Sequence, residues 1–143
     1  MKNYLQFKVW PVTAGLLLAF ITMMLFEFVN SFFFPFPEDM AVKEVKAFTD
    51  TLPWTVYILV FLGWIVGSFL AGYTTTRLAG EQVFRFSLIV GIILTLLGVV
   101  NNMMIGHDMV FNVIGLPMFL IFTYLGHLYC RRTVQKFDNL NLS

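Results

Sequence analysis

Residues 10–34, 53–78, 84–104 and 110–129 are four long stretches that carry almost no charge. A helix needs roughly 20 apolar residues at 1.5 Å each to cross about 30 Å of hydrocarbon, and each stretch meets that length. Inside lipid every backbone N–H and C=O must be satisfied within the segment, so such runs fold as helices. The sequence therefore predicts an all-α membrane protein: an antiparallel bundle of four transmembrane helices in a single domain spanning residues 1–143. The balance of 59% apolar, 17% aromatic and 12% charged residues excludes an ordinary soluble domain. Lys2 and Lys8 ahead of the first run resemble the start of a signal peptide, but the run is too long for an h-region and has no small-x-small cleavage site. It is expected to be a retained span.

The basic residues give the orientation. Lys2, Lys8, Arg77, Arg85, Arg131, Arg132 and Lys136 flank the spans on one side, and only Lys43 and Lys46 lie on the other, among Glu38, Asp39, Glu44 and Asp50. Positive residues stay on the cytoplasmic side, so both termini, including the tail 130–143, are expected there. The loop 35–52 is then extracytoplasmic. Pro35 and Pro37 end the first helix because proline cannot donate a backbone N–H. Within the loop, Ala41, Val45, Phe48 and Leu52 recur at helical spacing. This predicts a short helix, either lying in the membrane interface or packed on the bundle.

The second span reads "FLGWIVGSFLAGYTTT". Gly63, Gly67 and Ala71 fall at i, i+4 and i+8, with Ser68 and Gly72 beside them. Small residues let backbones approach closely, and helices in lipid associate through such contacts. These five positions are the expected helix-packing residues, within one bundle in preference to a dimer face. Pro117 in "NVIGLPMFL" is the expected kink of the fourth span.

Polar residues within spans are costly unless paired or facing water. Glu27, in "MMLFEFVNSFFF", lies roughly 7 Å outward of the midplane when counted at 1.5 Å per residue, with Asn30 one turn on. Asn101, Asn102, Asn112 and Tyr57 fall in the same outer half. These six residues are the candidate ligand or ion pocket. The alternative is a protonated Glu27 hydrogen-bonded between helices as a register lock. His127 counts out about 10 Å inward and is expected as an interfacial side chain bonded to backbone or lipid, out of reach of Glu27. His107 and Asp108 are placed on an outer turn.

Two separated histidines give no transition-metal site, and the single Cys130 gives neither an internal disulfide nor a CxxC pair. No cofactor or metal is expected. Nucleophile elbow, phosphate loop and a second intramembrane acid are all missing, so no catalytic residue is assigned. With no basic block interleaved with aromatics, nucleic acid is not an expected partner. The partners left are the lipid bilayer and a membrane protein, another copy included.

Glu27, the loop "PFPED", Pro53, "GWIVGSFLAG" and the "NN" at positions 101–102 together resemble a widespread group of small uncharacterised bacterial four-span membrane proteins. The resemblance implies a bacterial inner-membrane setting and no particular activity. The small multidrug resistance transporters are similar in having four short spans and a first-span Glu. This chain departs from them in its long outer loop, the late position of Glu27 and the small-residue stripe. There is also an internal echo: "FITMMLFEFVN" (20–30) lies over "GIILTLLGVVN" (91–101) and puts Asn30 on Asn101. Three function classes follow. The first is a non-enzymatic binding, accessory or scaffold protein. The second is a small permease or ion-coupled transporter using Glu27, and the third, with least in its favour, is a lipid-modifying enzyme.

Overall fold

The computed structural model describes residues 9–35, 37, 39–80, 84–106 and 109–141. Five helices account for nearly all of them: α1 (Val9–Phe33), α2 (Val42–Thr49), α3 (Thr55–Ala79), α4 (Phe84–Ile105) and α5 (Met109–Asn141). Among the described residues there is no strand. Helices α1, α3 and α4, and Phe111–Lys136 of α5, are long and apolar enough to cross a membrane. The chain is a multi-pass membrane protein built as a four-helix bundle with one short helix at one end. Lys2, Lys8, Glu38, His107 and Asp108, used above for orientation and turns, lie outside the described residues.

Helix boundaries follow the local chemistry. α3 ends at Gly80 with φ 65°, and α4 gives way to Gly106 with φ 78°. Both are left-handed positions that glycine reaches without the Cβ penalty. Pro35 and Pro37 follow α1 and Pro53 precedes α3, as expected. α5 departs from the sequence-based boundary, because it continues from the apolar run through Arg131, Arg132 and Lys136 to Asn141. The sequence "CRRTVQKFDN" contains no glycine or proline to stop it, so the change in polarity after residue 130 does not end the helix.

Small and hydroxylated residues fill much of the bundle interior, beside the buried rings of Trp64, Phe86, Phe111 and Phe119, and many large apolar residues lie outside. Ala19, Ser68, Ala71, Thr75, Ser87 and Val90 are fully buried, while Trp10, Met24, Phe28, Phe32, Leu96 and Met103 are exposed. This suits lipid, where burying large apolar groups brings no gain and close packing of backbones does. α3 is the central helix, held between α1 and α5. On the α1 side, a Cβ at Gly63 would lie 2.9 Å from Cβ of Phe26, and one at Gly67 would lie 3.1 Å from the Ala19 carbonyl. Gly15 of α1 returns the contact against Ala71 and Thr75. On the α5 side, Gly72 lies against the Thr123 backbone, and Gly126 of α5 against Phe69 and Tyr73. The stripe in α3 is thus two stripes, each serving a different neighbour. α4 packs on α5 through Gly91 and Gly98, which meet Leu120 and Phe119. α1 and α4 touch each other least of the packed pairs of long helices, and between them the bundle opens.

Candidate ligand cleft between α1 and α4

The opening consists of two chambers. One, of about 370 Å³, lies toward the α2 end and is lined by Glu27, Asn30, Ser31 and Phe34 of α1, Tyr57, Val60 and Trp64 of α3, Asn101 and Ile105 of α4, and Thr49 and Leu52. The other, of about 340 Å³, is lined by Phe20, Met23, Met24 and Glu27 of α1 and Leu94, Leu97, Gly98, Val100, Asn101 and Met104 of α4, over Trp64 and Phe119. Both volumes lie in the range of small-molecule sites. Glu27, Asn101 and Trp64 line both chambers and mark where they meet. The first is edged with polar groups, and the second, apart from the shared Glu27 and Asn101, is apolar.

Each wall is positioned by a local feature of the sequence. Glu27 and Asn30 lie one turn apart on α1 and so share a face. Gly98 removes a side chain from α4 where the second chamber passes, and its Cα packs against Phe119 and Leu116. Trp64 is only 5% exposed and is held by edge and tilted contacts to Phe111 and Phe119, with ring centroids 5.3 and 4.8 Å away. Phe61 stacks on Phe111 at 4.7 Å. This aromatic block fixes the indole that forms the cleft floor.

Helix α2 covers one end. Thr49 is buried, the hydroxyl of Tyr57 donates to its carbonyl at 3.1 Å, and the Lys46 stem lies against Gly106. Val45 and Phe48 are half-buried, so the stripe read from the sequence packs α2 onto the bundle. Lys46 and Asp50 form an exposed i,i+4 ion pair at 3.0 Å.

Of the six residues assigned from sequence, four (Glu27, Asn30, Asn101 and Tyr57) line the first chamber. Asn102 and Asn112 do not line either chamber. The Asn102 side chain is 2% exposed and donates to Oδ1 of Asn112 at 2.7 Å, joining α4 to α5. Depth along a helix is readable from sequence, but Asn101 and Asn102 are 100° apart around it, and only packing decides which faces α1. Among the described residues Glu27 has no hydrogen bond or ion pair, and none of those that line either chamber is Lys or Arg. Oδ1 of Asn30 is buried and without a partner. Pro117 is exposed, as is Val113, whose carbonyl loses its i+4 donor to the proline. Neither lines the cleft.

At the opposite end of the bundle lies a polar cluster that sequence reasoning missed. His127 is 1% exposed, and its partner is a side chain and not the expected backbone or lipid: its Nδ1 lies 2.9 Å from Oγ1 of Thr76. Thr76 Oγ1 also lies 2.8 Å from Oγ of Ser87 and 2.8 Å from the Gly72 carbonyl. A hydroxyl has one proton and two lone pairs. With Thr76 donating to Gly72, Ser87 and the Nδ1–H of His127 donate to Thr76, and Nε2 is left as a buried acceptor without a partner. The helical register held a signal: His127 falls four residues after Thr123 and one after Gly126, the residues by which α5 meets α3. Among the described residues no group of three His, Cys, Asp or Glu side chains is placed to hold a metal ion.

Compared with protein-family models, curated proteins and solved structures, the chain has no match. What the cleft does has to be argued from its own geometry.

Proposed function

We propose that this protein is a non-enzymatic membrane protein that binds an amphiphilic ligand, a lipid or a lipid-soluble small molecule, in the cleft between α1 and α4. The observation that carries the reading is the polarity gradient along the cleft: a chamber edged by Glu27, Asn30, Asn101 and Tyr57 leads into an apolar one. Phe20, Met24, Leu97, Val100 and Met104 of the apolar chamber are also exposed on the outside of the bundle. A ligand can therefore enter sideways from the bilayer, with its polar group toward α2 and its tail along α1 and α4. The setting that agrees with the basic residues is a bacterial plasma membrane with both termini cytoplasmic, which puts the polar chamber in the outer half.

The test is recovery of a bound amphiphile. Protein purified in a mild maltoside is extracted with organic solvent and the extract analysed by mass spectrometry, beside a Val100→Trp variant that fills the apolar chamber from its exposed rim. A near-stoichiometric species present with the parent protein and depleted in the variant, at unchanged melting temperature, supports the proposal. Equal recovery from both, or none from either, overturns it.

A second reading, a small ion-coupled permease using Glu27, draws on one observation. Ser68 is buried on α3 between Trp64 of the cleft and Thr76 of the His127 cluster, and its Oγ has no partner. It lies roughly 12 Å along the helix from Thr76, too far for one hydroxyl to link the two ends. A transport assay in proteoliposomes separates the two: an ion-coupled permease moves substrate and loses that transport with Glu27→Gln, whereas a binding protein shows no transport in either form.

A further inference from the structure

Resting on the cleft as a binding site, we infer that its ligand carries a primary ammonium group on a single hydrocarbon chain. Three observations converge on that chemistry. Among the described residues, Glu27 presents a carboxyl group with no hydrogen-bond or ion-pair partner, and none of those that line either chamber is basic. A cation supplies the missing partner, while an anionic head would meet only like charge. One turn from Glu27, Oδ1 of Asn30 is buried without a donor among the described residues, and Asn30 lines the same chamber. It calls for a ligand that donates hydrogen bonds as well as carrying charge. A primary ammonium has three donors and no acceptor, so one N–H can reach Glu27, another Asn30, and a third Asn101 or water.

Trp64 and Tyr57 add aromatic rings to the lining of the same chamber, and a ring whose face is presented attracts cations independently of hydrogen bonding. A quaternary ammonium would satisfy the aromatic faces and the charge but leave the Asn30 oxygen without a donor. The lining of the two chambers favours one chain over two. Glu27 already lines the apolar chamber, whose remaining walls are α1 and α4 side chains and the rings of Trp64 and Phe119. A tail attached close to the ammonium enters that chamber directly. A two-chain phospholipid would have to draw its whole headgroup, phosphate included, past Asn30 into a chamber with no cationic partner for the phosphate.

The experiment uses the full chain with Trp10 and Trp54 replaced by Phe, leaving Trp64 as the sole indole. Trp64 fluorescence and melting temperature are recorded in maltoside micelles against dodecylammonium, dodecyltrimethylammonium, dodecanol and dodecyl phosphate. The primary ammonium is expected to bind about tenfold or more tightly than the alcohol, the scale of one charge-assisted hydrogen bond. The trimethylammonium should fall between them and the phosphate should be weakest. Glu27→Gln should bring the ammonium down to the alcohol, and Asn30→Leu should bring it down to the trimethylammonium. Equal binding of ammonium and alcohol overturns the inference and leaves the amphiphile cleft standing. Equal binding of primary and quaternary ammonium overturns the role given to Asn30. If none of the four changes Trp64 fluorescence, the cleft itself is not a binding site. Should either variant melt before titration, the four-compound series on the Trp64-only protein still decides. Binding of an aminophospholipid in nanodiscs that matches dodecylammonium would overturn the single-chain assignment.

Discussion

Nδ1 of His127 lies 2.9 Å from the hydroxyl of Thr76, which is itself 2.8 Å from the hydroxyl of Ser87, so one threonine oxygen joins α3, α4 and α5. Thr76→Val keeps the shape and removes the shared oxygen, leaving both the imidazole and the serine without their common partner. We expect a loss of about 1–2 kcal/mol, above the average for single interhelical hydrogen bonds in membranes, because the buried imidazole is orphaned, while Ser87 keeps the Gly72 carbonyl at 3.3 Å. Chemical or thermal unfolding in detergent measures it. A change below about 0.3 kcal/mol would show that the cluster finds other partners.

The two sides of α3 should tolerate added volume differently. A Cβ at Gly67 would lie 3.1 Å from both the Ala19 carbonyl and the end of the Met23 side chain, close enough to need a shift of a few tenths of an ångström, whereas one at Gly72 falls on the Thr123 backbone. Gly72→Ala is therefore expected to cost about 1–3 kcal/mol and Gly67→Ala less than 1 kcal/mol. Gly67→Leu exceeds what Met23 can yield and should lower the melting temperature clearly, with Ala14→Leu, at a half-buried position near the start of α1, as the milder control. Equal melting temperatures for Gly72→Ala and Gly67→Ala would remove the distinction.

For topology, cysteines at positions 44 and 136, both exposed, are introduced where Cys130 has been replaced by Ala. In intact cells a membrane-impermeant maleimide should label position 44 alone, and after permeabilisation both. Labelling of position 136 in intact cells would reverse the orientation.

The Asn102–Asn112 bond predicts that Asn102→Leu affects stability and leaves the cleft's ligand in place. Asn101→Leu should do the opposite, lowering bound amphiphile with a melting temperature within a few degrees of the parent protein. Bound ligand and melting temperature measured on the same samples decide between them.

The class of fold was legible because length and apolarity alone determine whether a segment can satisfy its backbone in lipid. Four spans, the α2 helix, the small-residue stripe and the acid in the first span all follow from residue type and spacing. Which polar residues meet was not legible. Helix rotation about its own axis is not fixed by an apolar run that faces lipid on one side and neighbours on the other, since both faces look alike in sequence. Glycine contacts set that rotation. Gly63 and Gly67 against α1, Gly72 against Thr123 and Gly91 and Gly98 against α5 turn Asn101 into the cleft and Asn102 out of it. They also turn His127 inward, between α3, α4 and α5. The sequence by itself determined that Glu27 would be an acid among apolar neighbours with Asn30 on its face. Only the tertiary structure decided that α1 and α4 part around it, because that gap depends on how far the α1–α3 and α4–α5 contacts hold the two helices apart, a distance no single segment contains.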